Sequence, residues 1–574
     1  MTASAFTGRA LACLLLWSAI GAHAADAVPA REAAVDRVFA AFGPTTPGCA
    51  VGVYRGGANE FQKGYGLANL ETLTPISPQT VFDIGSTSKQ FTAAAIVLLA
   101  QEGKLSLDED VRSYLPELPD YGTPITIRQM LHHTAGLRDY VTLLTFADVD
   151  YGDVSTPAQA LAMLARQHRL NNRPGERFLY SNSGYFLATQ IVERVSGLSM
   201  RAFAQQRMFG PLGMANTFYK DDHAEVVARR ASGYAPAEGG RYRVAESNWE
   251  ETGDGGVQTS VADLSNWIAN FAKPKVGGAT FTRDMERVGV LDDGRPTGYA
   301  LGLMVSTRQG LRMVHHGGSW AGYRAEVVRL PEADLGVATL CNNANVDASA
   351  LAIATADVWL ADTRTAKGSV GAEDQPEPAA APASGGKPVA ASAGTFRNAE
   401  TGSLRRVEIE DGTWIEAFGG RFRLARRPDG GFDLVDGPFD ATFRFLAGPA
   451  GEIELEQVAM ERTTRFAKLQ LHNPSASELA RYVGDYDCEE LGIVYRLLTK
   501  DGALYRTNRL GEPEVFRPLQ QHEFSFGNLT IRFDMGTEGA PRAARLDIGR
   551  VKDVRCPRLP GGGHAVVAGA AAQR

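Results

Sequence analysis

The sequence lacks the excess of basic residues that a nucleic-acid-binding protein needs. Its 574 residues contain 59 Lys and Arg against 66 Asp and Glu, which gives a formal net charge of −7 at pH 7. Because phosphates are neutralised by a basic patch or stripe, this balance argues against a nucleic-acid partner. The content of hydrophobic residues, 44%, and of charged residues, 22%, is typical of soluble globular domains. A chain of this length is expected to form about two to four domains.

Long apolar runs are absent from the sequence beyond its first 24 residues. Those residues combine a positive charge at Arg9, a short apolar run from Leu11 to Ile20, and a small-x-small cleavage pattern at Ala22-His23-Ala24. The apolar run falls well short of the ~20 residues that span a bilayer, which favours a cleaved signal peptide over a membrane anchor. We therefore expect residues 1–24 to be removed, no stable membrane insertion, and a periplasmic or secreted protein.

Cysteine is scarce, with five residues in the chain, one of which lies in the predicted signal peptide. The other four are Cys49, Cys341, Cys488 and Cys556. Their spacing is too wide for a zinc knuckle or a C-x-x-C redox pair. An exported protein can form disulfides, so these cysteines are either paired or isolated buried thiols.

Motifs for metal and cofactor binding are also missing. The pairs His132-His133 and His315-His316 do not have the H-E-x-x-H spacing of a zinc site, and no glycine-rich phosphate or dinucleotide loop is present. The sequence therefore predicts neither a metal nor a cofactor. We interpret His132, His133 and His315 as structural residues.

Residues 30–362 mix strand and helix patterns. Gly48 to Tyr54 and Phe61 to Leu67 are typical of two short strands joined by a glycine turn. Residues 87–102 have the apolar spacing of a helix, and Gly336 to Cys341 is a further apolar strand. This pattern predicts a mixed α/β domain with strands at both ends and helices between them.

The rest of the chain changes character after residue 362. Residues 363–392 are rich in Pro, Ala, Gly and Ser, which is the composition of a linker. Beyond the linker, strand-like runs alternate with D-G and G-G turns, and a weak repeat with an offset of about 90 residues indicates a duplicated β module. We expect two all-β barrels or sandwiches at 393–473 and 474–559, with a disordered tail at 560–574. One eight-stranded barrel built from both halves is the alternative.

The first motif with chemical meaning is Ser86-Thr87-Ser88-Lys89 at the start of the predicted helix. A serine and a lysine three residues apart share one helix face. An ammonium group held in a partly desolvated cleft can lose its proton and then accept the proton of a serine nucleophile. The motif alone is weak, because the same spacing occurs by chance at Ser384 to Lys387 within the predicted linker.

Two further motifs follow in order. Tyr180-Ser181-Asn182 precedes an apolar helical run, and His316-Gly317-Gly318, followed by Ser319, lies on a predicted strand. A tyrosine beside a lysine can relay a proton, and an asparagine amide can hold a substrate carbonyl. Glycines on the strand permit close approach of a ligand to its edge.

The S-x-x-K, Y-x-N and H-x-G elements, in this order, resemble those of the serine β-lactamase and penicillin-binding-protein superfamily. The segments L-H-H-T-A-G-L at 131–137 and H-G-G-S-W-A-G-Y at 316–323 add to the likeness, which covers about 330 residues. The variants are similar to the branch that contains class C β-lactamases, D,D-carboxypeptidases, D-aminopeptidases and esterases. A catalytic domain followed by two small β domains is similar to the layout of bacterial D-aminopeptidases.

The resemblance implies a role for each motif residue. Ser86 would be the acylated nucleophile, with Lys89 and Tyr180 exchanging its proton and Asn182 orienting the substrate. The backbone N–H groups of Ser86 and Ser319 would form an oxyanion hole, worth ~3 kcal/mol per donor, beside Gly318. His316 stands where many relatives have lysine, and since histidine is a weaker and pH-dependent cation, strong binding of a substrate carboxylate becomes doubtful.

The resemblance also bears on the cysteines. In the superfamily the first and last strands of the catalytic domain are antiparallel neighbours, which would bring Cys49 close to Cys341. Cys488 and Cys556 lie near the two ends of the second β module, where closure of a barrel would bring them together. Whether either pair forms a disulfide stays open at this stage, since the Cα atoms must also lie within ~7 Å.

We therefore expect an exported serine peptidase that cleaves short peptides or amides, with D-amino acids as candidates, through an acyl-enzyme on Ser86. A β-lactamase or carboxylesterase with the same machinery is the alternative. A non-catalytic sensor that binds penicillin or peptidoglycan is a third hypothesis, but such a protein would have no need of Lys89. The sequence does not give the oligomeric state.

Overall fold

The computed structural model describes residues 30–366, 390–417, 420–435, 441–448, 451–459 and 462–560. The predicted signal peptide, residues 367–389 of the predicted linker, and residues 561–574 of the predicted tail lie outside the described residues. The described helices are α1 (30–38), α2 (Lys89–Gln101), α3 (Ile127–Leu131), α4 (Tyr140–Phe146), α5 (Pro157–Ala165), α6 (Ser183–Ser196), α7 (Met200–Ala204), α8 (Gly210–Leu212), α9 (Val261–Ala272), α10 (Phe281–Met285), α11 (Ala348–Ala366) and α12 (Ala476–Tyr482). Among the helices in these ranges, none has the length and apolarity needed to span a bilayer.

The strands of the first region are β1 (Cys49–Arg55), β2 (Ala58–Tyr65), β3 (Leu67–Asn69), β4 (Thr74–Pro75), β5 (Phe82–Asp83), β6 (Phe218–Tyr219), β7 (Tyr234–Ala237), β8 (Arg241–Val244), β9 (Val257–Thr259), β10 (Met304–Arg308), β11 (Leu311–Trp320), β12 (Tyr323–Leu330) and β13 (Leu335–Cys341). Six of them form one antiparallel sheet in the order β10-β11-β12-β13-β1-β2. The predicted strands at both ends of this region are therefore neighbours in the sheet, as in the predicted α/β fold.

Strand β1 shows why the sheet lies at the centre of this domain. Alternate residues of a strand point to opposite faces, and here both faces are apolar. Val51 and Val53 pack with Phe39, directly after α1, and with Trp359 of α11. Ala50, on the other face, joins the larger cluster that contains α2, α6 and α9. The sheet is thus covered by helices on both sides.

Helix α2 is the central helix of that larger cluster. The sequence predicts an amphipathic helix over 87–102, but the α-helix begins at Lys89, and every residue from Lys89 to Leu99 is buried. A 3-10 turn from Gly85 to Ser88 precedes it, so Ser86 lies just before the α-helix. A helix that is buried all round is held by neighbours on every side, which fixes the position of the residues at its start.

Two all-β domains follow. The first is a closed eight-stranded barrel of β14 (Gly394–Arg397), β15 (Leu404–Ile409), β16 (Thr413–Ala417), β17 (Gly420–Arg426), β18 (Phe432–Val435), β19 (Ala441–Ala447), β20 (Ile453–Ala459) and β21 (Arg462–Lys468). The second is an eight-stranded antiparallel sheet of β22 (Gly484–Cys488), β23 (Ile493–Lys500), β24 (Ala503–Thr507), β25 (Pro513–Pro518), β26 (Glu523–Phe526), β27 (Leu529–Met535), β28 (Pro541–Ile548) and β29 (Val551–Pro557). The alternative of one barrel built from both halves is wrong, because each half has eight strands of its own and can enclose its own core.

The structure contains both disulfides that the sequence analysis left open. Cys49 of β1 lies directly opposite Cys341 of β13 in the strand register, and the two are bonded. Cys488 of β22 is bonded to Cys556 of β29, which ties together the first and last strands of the second β domain.

The two β domains differ in how they pack. The core of the first barrel is a separate hydrophobic cluster, centred on residues such as Phe443 and Leu455. The core of the second, including Tyr482 and Tyr486, is continuous with the core of the catalytic domain. The hydroxyl of Tyr495 also donates a hydrogen bond to the Phe146 carbonyl across this boundary, at 3.0 Å. The second β domain is therefore packed onto the catalytic domain as part of one core.

Candidate active site

Ser86 lies where a tight turn is pressed against the sheet. A Cβ atom on Gly85, whose φ is +48°, would lie 2.8 Å from the backbone nitrogen of Ser319. A Cβ on Gly318 would lie 1.8 Å from the carbonyl oxygen of Ile84. Only glycine fits at both positions, so the turn and strand β11 can approach each other closely. Gly318 is thus used for packing within the protein, and the backbone of Ser319 is brought beside the segment that carries Ser86.

Lys89 is fully buried and has three hydrogen-bond partners. Its Nζ lies 3.0 Å from Ser86 Oγ, 2.9 Å from Asn182 Oδ1 and 2.6 Å from the carbonyl oxygen of Asp254. The amide and carbonyl oxygens can only accept hydrogen bonds. Two N–H groups of the Lys89 amine therefore donate to these two oxygens. The remaining tetrahedral position of Nζ faces the Ser86 hydroxyl.

Tyr180 and Asn182 are held at the start of α6. The backbone N–H of Asn182 donates to Asp139 Oδ2 at 2.7 Å. Because its side-chain oxygen is bound by Lys89, the amide NH₂ of Asn182 is the group left for a substrate. The ring of Tyr180 lies 5.1 Å from Lys89 Nζ. Among the described residues the Tyr180 hydroxyl makes no hydrogen bond to Ser86 or Lys89, and the contact shown is between the Tyr180 ring and the Lys89 amine.

His316 is buried and fully hydrogen-bonded. Its Nδ1 donates to the Gly317 carbonyl at 2.6 Å, so that its Nε2, 2.9 Å from the hydroxyl of Tyr299, accepts from this tyrosine. Burial, reinforced by the nearby charge of Lys89, lowers the pKa of His316 to about 3. His316 is therefore neutral at pH 7 and supplies no cation to the site, whereas Ser319 is exposed on the same strand.

His133 belongs to the site, which the sequence analysis missed. Its ring packs against that of Tyr180 in a tilted arrangement, with centroids 4.1 Å apart, and its Nδ1 accepts a hydrogen bond from the Ser181 backbone at 3.2 Å. Burial lowers its pKa well below the ordinary value, so the ring is neutral and positions Tyr180. The only signal in the sequence was its place in L-H-H-T-A-G-L, which says nothing about contact.

Asp254, which contacts Lys89, and Glu251 are two buried carboxyl groups. The Tyr140 hydroxyl donates to Asp254 Oδ1 at 3.0 Å, and the Ser155 hydroxyl donates to Glu251 Oε1 at 2.5 Å. Burial raises the pKa of Asp254 to about 6, opposed by the charge of Lys89. Burial also raises the pKa of Glu251 to about 7. Neither residue was singled out from the sequence, because a lone acidic residue in a G-D-G-G segment has no diagnostic spacing.

The second β domain reaches the same site through Arg550. The guanidinium carbon lies 4.7 Å from the centroid of the Tyr180 ring. Its Nη1 lies 4.0 Å from Asp139 Oδ2. Nothing in the local sequence indicates this contact, since it joins residues some 370 positions apart in the chain by domain packing.

One group of possible metal ligands occurs among the described residues, Asp222, His223 and Glu250. His223 Nδ1 and Glu250 Oε1 lie 2.7 Å apart and form a hydrogen bond, which explains why these two residues are close. The Ser86 site itself is built from an amine, a hydroxyl, an amide and aromatic rings. This donor set suits proton transfer to and from a serine nucleophile.

Comparison with known proteins gives consistent matches. The family model described as Beta-lactamase matches residues 35–358. The chain is 28% identical over 565 residues to a D-aminopeptidase of Gluconobacter oxydans (strain 621H), covering 93% of this chain and 100% of that protein. It is 30% identical over 290 residues to penicillin-binding protein 4* of Bacillus subtilis (strain 168), covering 48% of this chain and 63% of that protein. The solved structure of the octameric penicillin-binding protein homologue from Pyrococcus abyssi shares the fold, with a TM-score of 0.54 at 23% identity over 77% of this chain and 100% of that chain.

Proposed function

The chain belongs to the beta-lactamase family and is a serine hydrolase, and from this premise we propose that it cleaves short peptides or amides through an acyl-enzyme on Ser86. The observation that carries the proposal is the position of Lys89 Nζ, 3.0 Å from Ser86 Oγ. Because its other two contacts are with acceptor-only oxygens, a neutral Lys89 would direct its lone pair at the serine hydroxyl. That is the arrangement a general base requires.

The reaction then follows from the neighbouring groups. Lys89 takes the Ser86 proton as Oγ attacks the substrate carbonyl, and the amide NH₂ of Asn182 holds a carbonyl of the substrate. The backbone N–H groups of Ser86 and Ser319 stabilise the oxyanion. Tyr180 relays the proton to the leaving amine, whose C–N bond breaks, and water hydrolyses the resulting ester. His316 and Gly318 shape the strand edge on which the substrate lies, His316 as a neutral group.

We propose further that the substrates include residues of D configuration and that the protein acts outside the cytoplasm. The D-aminopeptidase relative, which aligns with 93% of this chain, supports the first statement. The two disulfides support the second, because such bonds persist in oxidising compartments. N-terminal sequencing of the protein from a periplasmic or culture fraction should begin after Ala24. An N-terminus at Met1 would contradict export by cleavage.

The reaction is tested with Ser86→Ala on a panel of substrates: D-alanyl and L-alanyl p-nitroanilide, a chromogenic cephalosporin and p-nitrophenyl butyrate. Ser384→Ala, in the second S-x-x-K of the sequence, is the matched control and should behave as wild type. We expect turnover of an anilide that Ser86→Ala abolishes, with the D isomer preferred. Faster turnover of the cephalosporin or the ester would favour the β-lactamase or esterase alternative. Absence of Ser86-dependent turnover on every substrate would favour a binding protein.

A further inference from the structure

Arg550 of the second β domain contacts two residues at the candidate site, Tyr180 and Asp139. It occupies the two-residue turn, with Gly549, between β28 and β29. Its carbonyl oxygen accepts hydrogen bonds from Asn171 Nδ2 at 2.8 Å and from the Asp139 backbone at 3.4 Å. The backbone N–H of Lys552 donates to Asn171 Oδ1 at 2.8 Å. The turn is thus pinned to the catalytic domain on both sides of Arg550.

The side chain of Arg550 is poised for a ligand. Its guanidinium lies over the ring of Tyr180, and 45% of its side chain is exposed. In the part of the chain that the structure describes, its nitrogens donate no hydrogen bond, and the nearest carboxylate oxygen is the 4.0 Å contact with Asp139. A guanidinium group presents N–H donors in a planar fork that matches a carboxylate.

The Asp139 carboxylate does not occupy the N–H donors of Arg550, from which it lies 4.0 Å away. The carboxylate is fully buried and already accepts hydrogen bonds from the backbone of Asn182 at 2.7 Å and from the backbone and hydroxyl of Thr142 at 2.9 and 2.8 Å. Its charge holds Arg550 near Tyr180, but its oxygens are engaged elsewhere.

Three other basic side chains near the site are less suited to bind a substrate carboxylate. Arg324, opposite Ser319 in the sheet, already donates through Nη1 to the backbone carbonyls of Ala321 and Tyr323. Lys89 is buried and bound to three oxygens. His316 is buried and bound on both ring nitrogens. The exposed guanidinium beside Tyr180 is thus supplied by the second β domain rather than by strand β11.

We propose that Arg550 binds a free carboxylate on the leaving-group side of the substrate, so that the enzyme prefers peptides whose scissile bond precedes a C-terminal residue. Tyr180 assigns Arg550 to the leaving-group side of the substrate. In the proposed reaction Tyr180 relays the proton to the leaving amine, and the guanidinium lies over its ring. The proposal rests on the proposed acyl-enzyme reaction. It reverses the expectation, drawn from His316 alone, that carboxylate binding is weak.

The test uses two matched acylated dipeptides, in D and L forms, one ending in a free carboxylate and the other in a carboxamide. Wild type should hydrolyse the carboxylate with a kcat/KM about tenfold to a hundredfold higher, the range of a charge-assisted bidentate contact. Arg550→Gln should lose that preference through KM, Arg550→Lys should retain part of it, and the carboxamide should be little affected. Arg169→Gln removes an exposed arginine at the same domain boundary and should leave both rates unchanged.

Binding separates this inference from the proposed reaction. In the Ser86→Ala background, calorimetry should show tighter binding of the carboxylate peptide than of the carboxamide, and Arg550→Gln should remove the difference. That result would support the inference even if no Ser86-dependent turnover were found and the proposed reaction failed. Equal binding and turnover of both peptides by wild type would overturn it. So would a loss with Arg550→Gln that is the same for both peptides, because a structural role would act in that way.

Discussion

The buried ion pair between Arg138 and Glu490 should decide how firmly the second β domain is held. Arg138 Nη1 donates to Glu490 Oε1 at 2.7 Å, and the side chains are only 0% and 9% exposed. The Arg138 guanidinium also donates to Gln167 Oε1 at 3.0 Å and to the Asp553 carbonyl at 2.9 Å. Removing Glu490 would leave a buried charge without its counter-ion.

The expected cost follows from this geometry. Breaking a buried pair by removing one partner typically costs 3–5 kcal/mol, whereas replacing both partners by apolar residues is often close to neutral. We therefore expect Glu490→Met to lower the free energy of unfolding by about 3–5 kcal/mol. The double variant with Arg138→Met should lose less than the sum of the two single variants, by about 0.5–3 kcal/mol, the range expected for directly coupled residues.

The assay is urea unfolding of the full chain, with linear extrapolation to water of the transition shared by the catalytic and second β domains. Arg169 and Asp553 provide the matched control at the same boundary, since this pair is 3.4 Å apart with side chains 65% and 34% exposed. Arg169→Gln should cost less than about 1 kcal/mol, because exposed pairs contribute little. Additive single variants, or a cost of Glu490→Met no greater than that of the control, would refute the reasoning.

Three further predictions concern the catalytic domain and the first barrel. Asp254 has a folded pKa of about 6, above the ordinary 3.8, so its stabilising effect is complete below pH 3.8 and is lost as the pH rises through 6. Relative to Asp254→Asn, the wild-type unfolding free energy should therefore fall by up to about 3 kcal/mol between pH 4 and 7. A difference between the two proteins that does not change with pH would contradict this. Cys49→Ser with Cys341→Ser opens a covalent loop of 292 residues and should cost about 2–5 kcal/mol of unfolding free energy, measured by denaturation against wild type; an unchanged midpoint would argue against the bond. Because the first barrel has a separate core, calorimetry should show it unfolding apart from a joint transition of the catalytic and second β domains, and one transition for all three would refute this.

The sequence predicted the parts of the fold that rest on local pattern. The apolar run at β1 and the alternating turns of the C-terminal half have periods that local residues impose, so both the α/β domain and the two β domains could be inferred. The start of α2 was placed two residues early, since the 3-10 turn at Gly85 depends on contact with Ser319, far along the chain. Close approaches of this kind leave no local periodicity.

The candidate site likewise contains residues that local sequence patterns could predict and residues that only the structure reveals. Ser86, Lys89, Tyr180 and Asn182 lie in short motifs whose spacing is visible in the sequence, and the structure brings them together. His133 was interpreted as structural, and its ring contact with Tyr180 becomes visible only in three dimensions. Asp254 reaches Lys89 through a backbone carbonyl, a contact that any residue type can make and that no motif can therefore encode.

The guanidinium of Arg550 links the second β domain to the substrate selectivity of the site. In the sequence, His316 suggested a weakened cation on the strand, but burial makes this histidine neutral. The exposed cation near Tyr180 is Arg550, whose turn is pinned by Asn171 and Asp139. Because Asp139 also holds the backbone of Asn182, one buried carboxylate orients both a group of the catalytic domain and the arginine of the neighbouring domain. Substrate selectivity in this chain should therefore depend on the Arg138–Glu490 boundary, and Glu490→Met should reduce the preference for a C-terminal carboxylate more than it reduces ester hydrolysis.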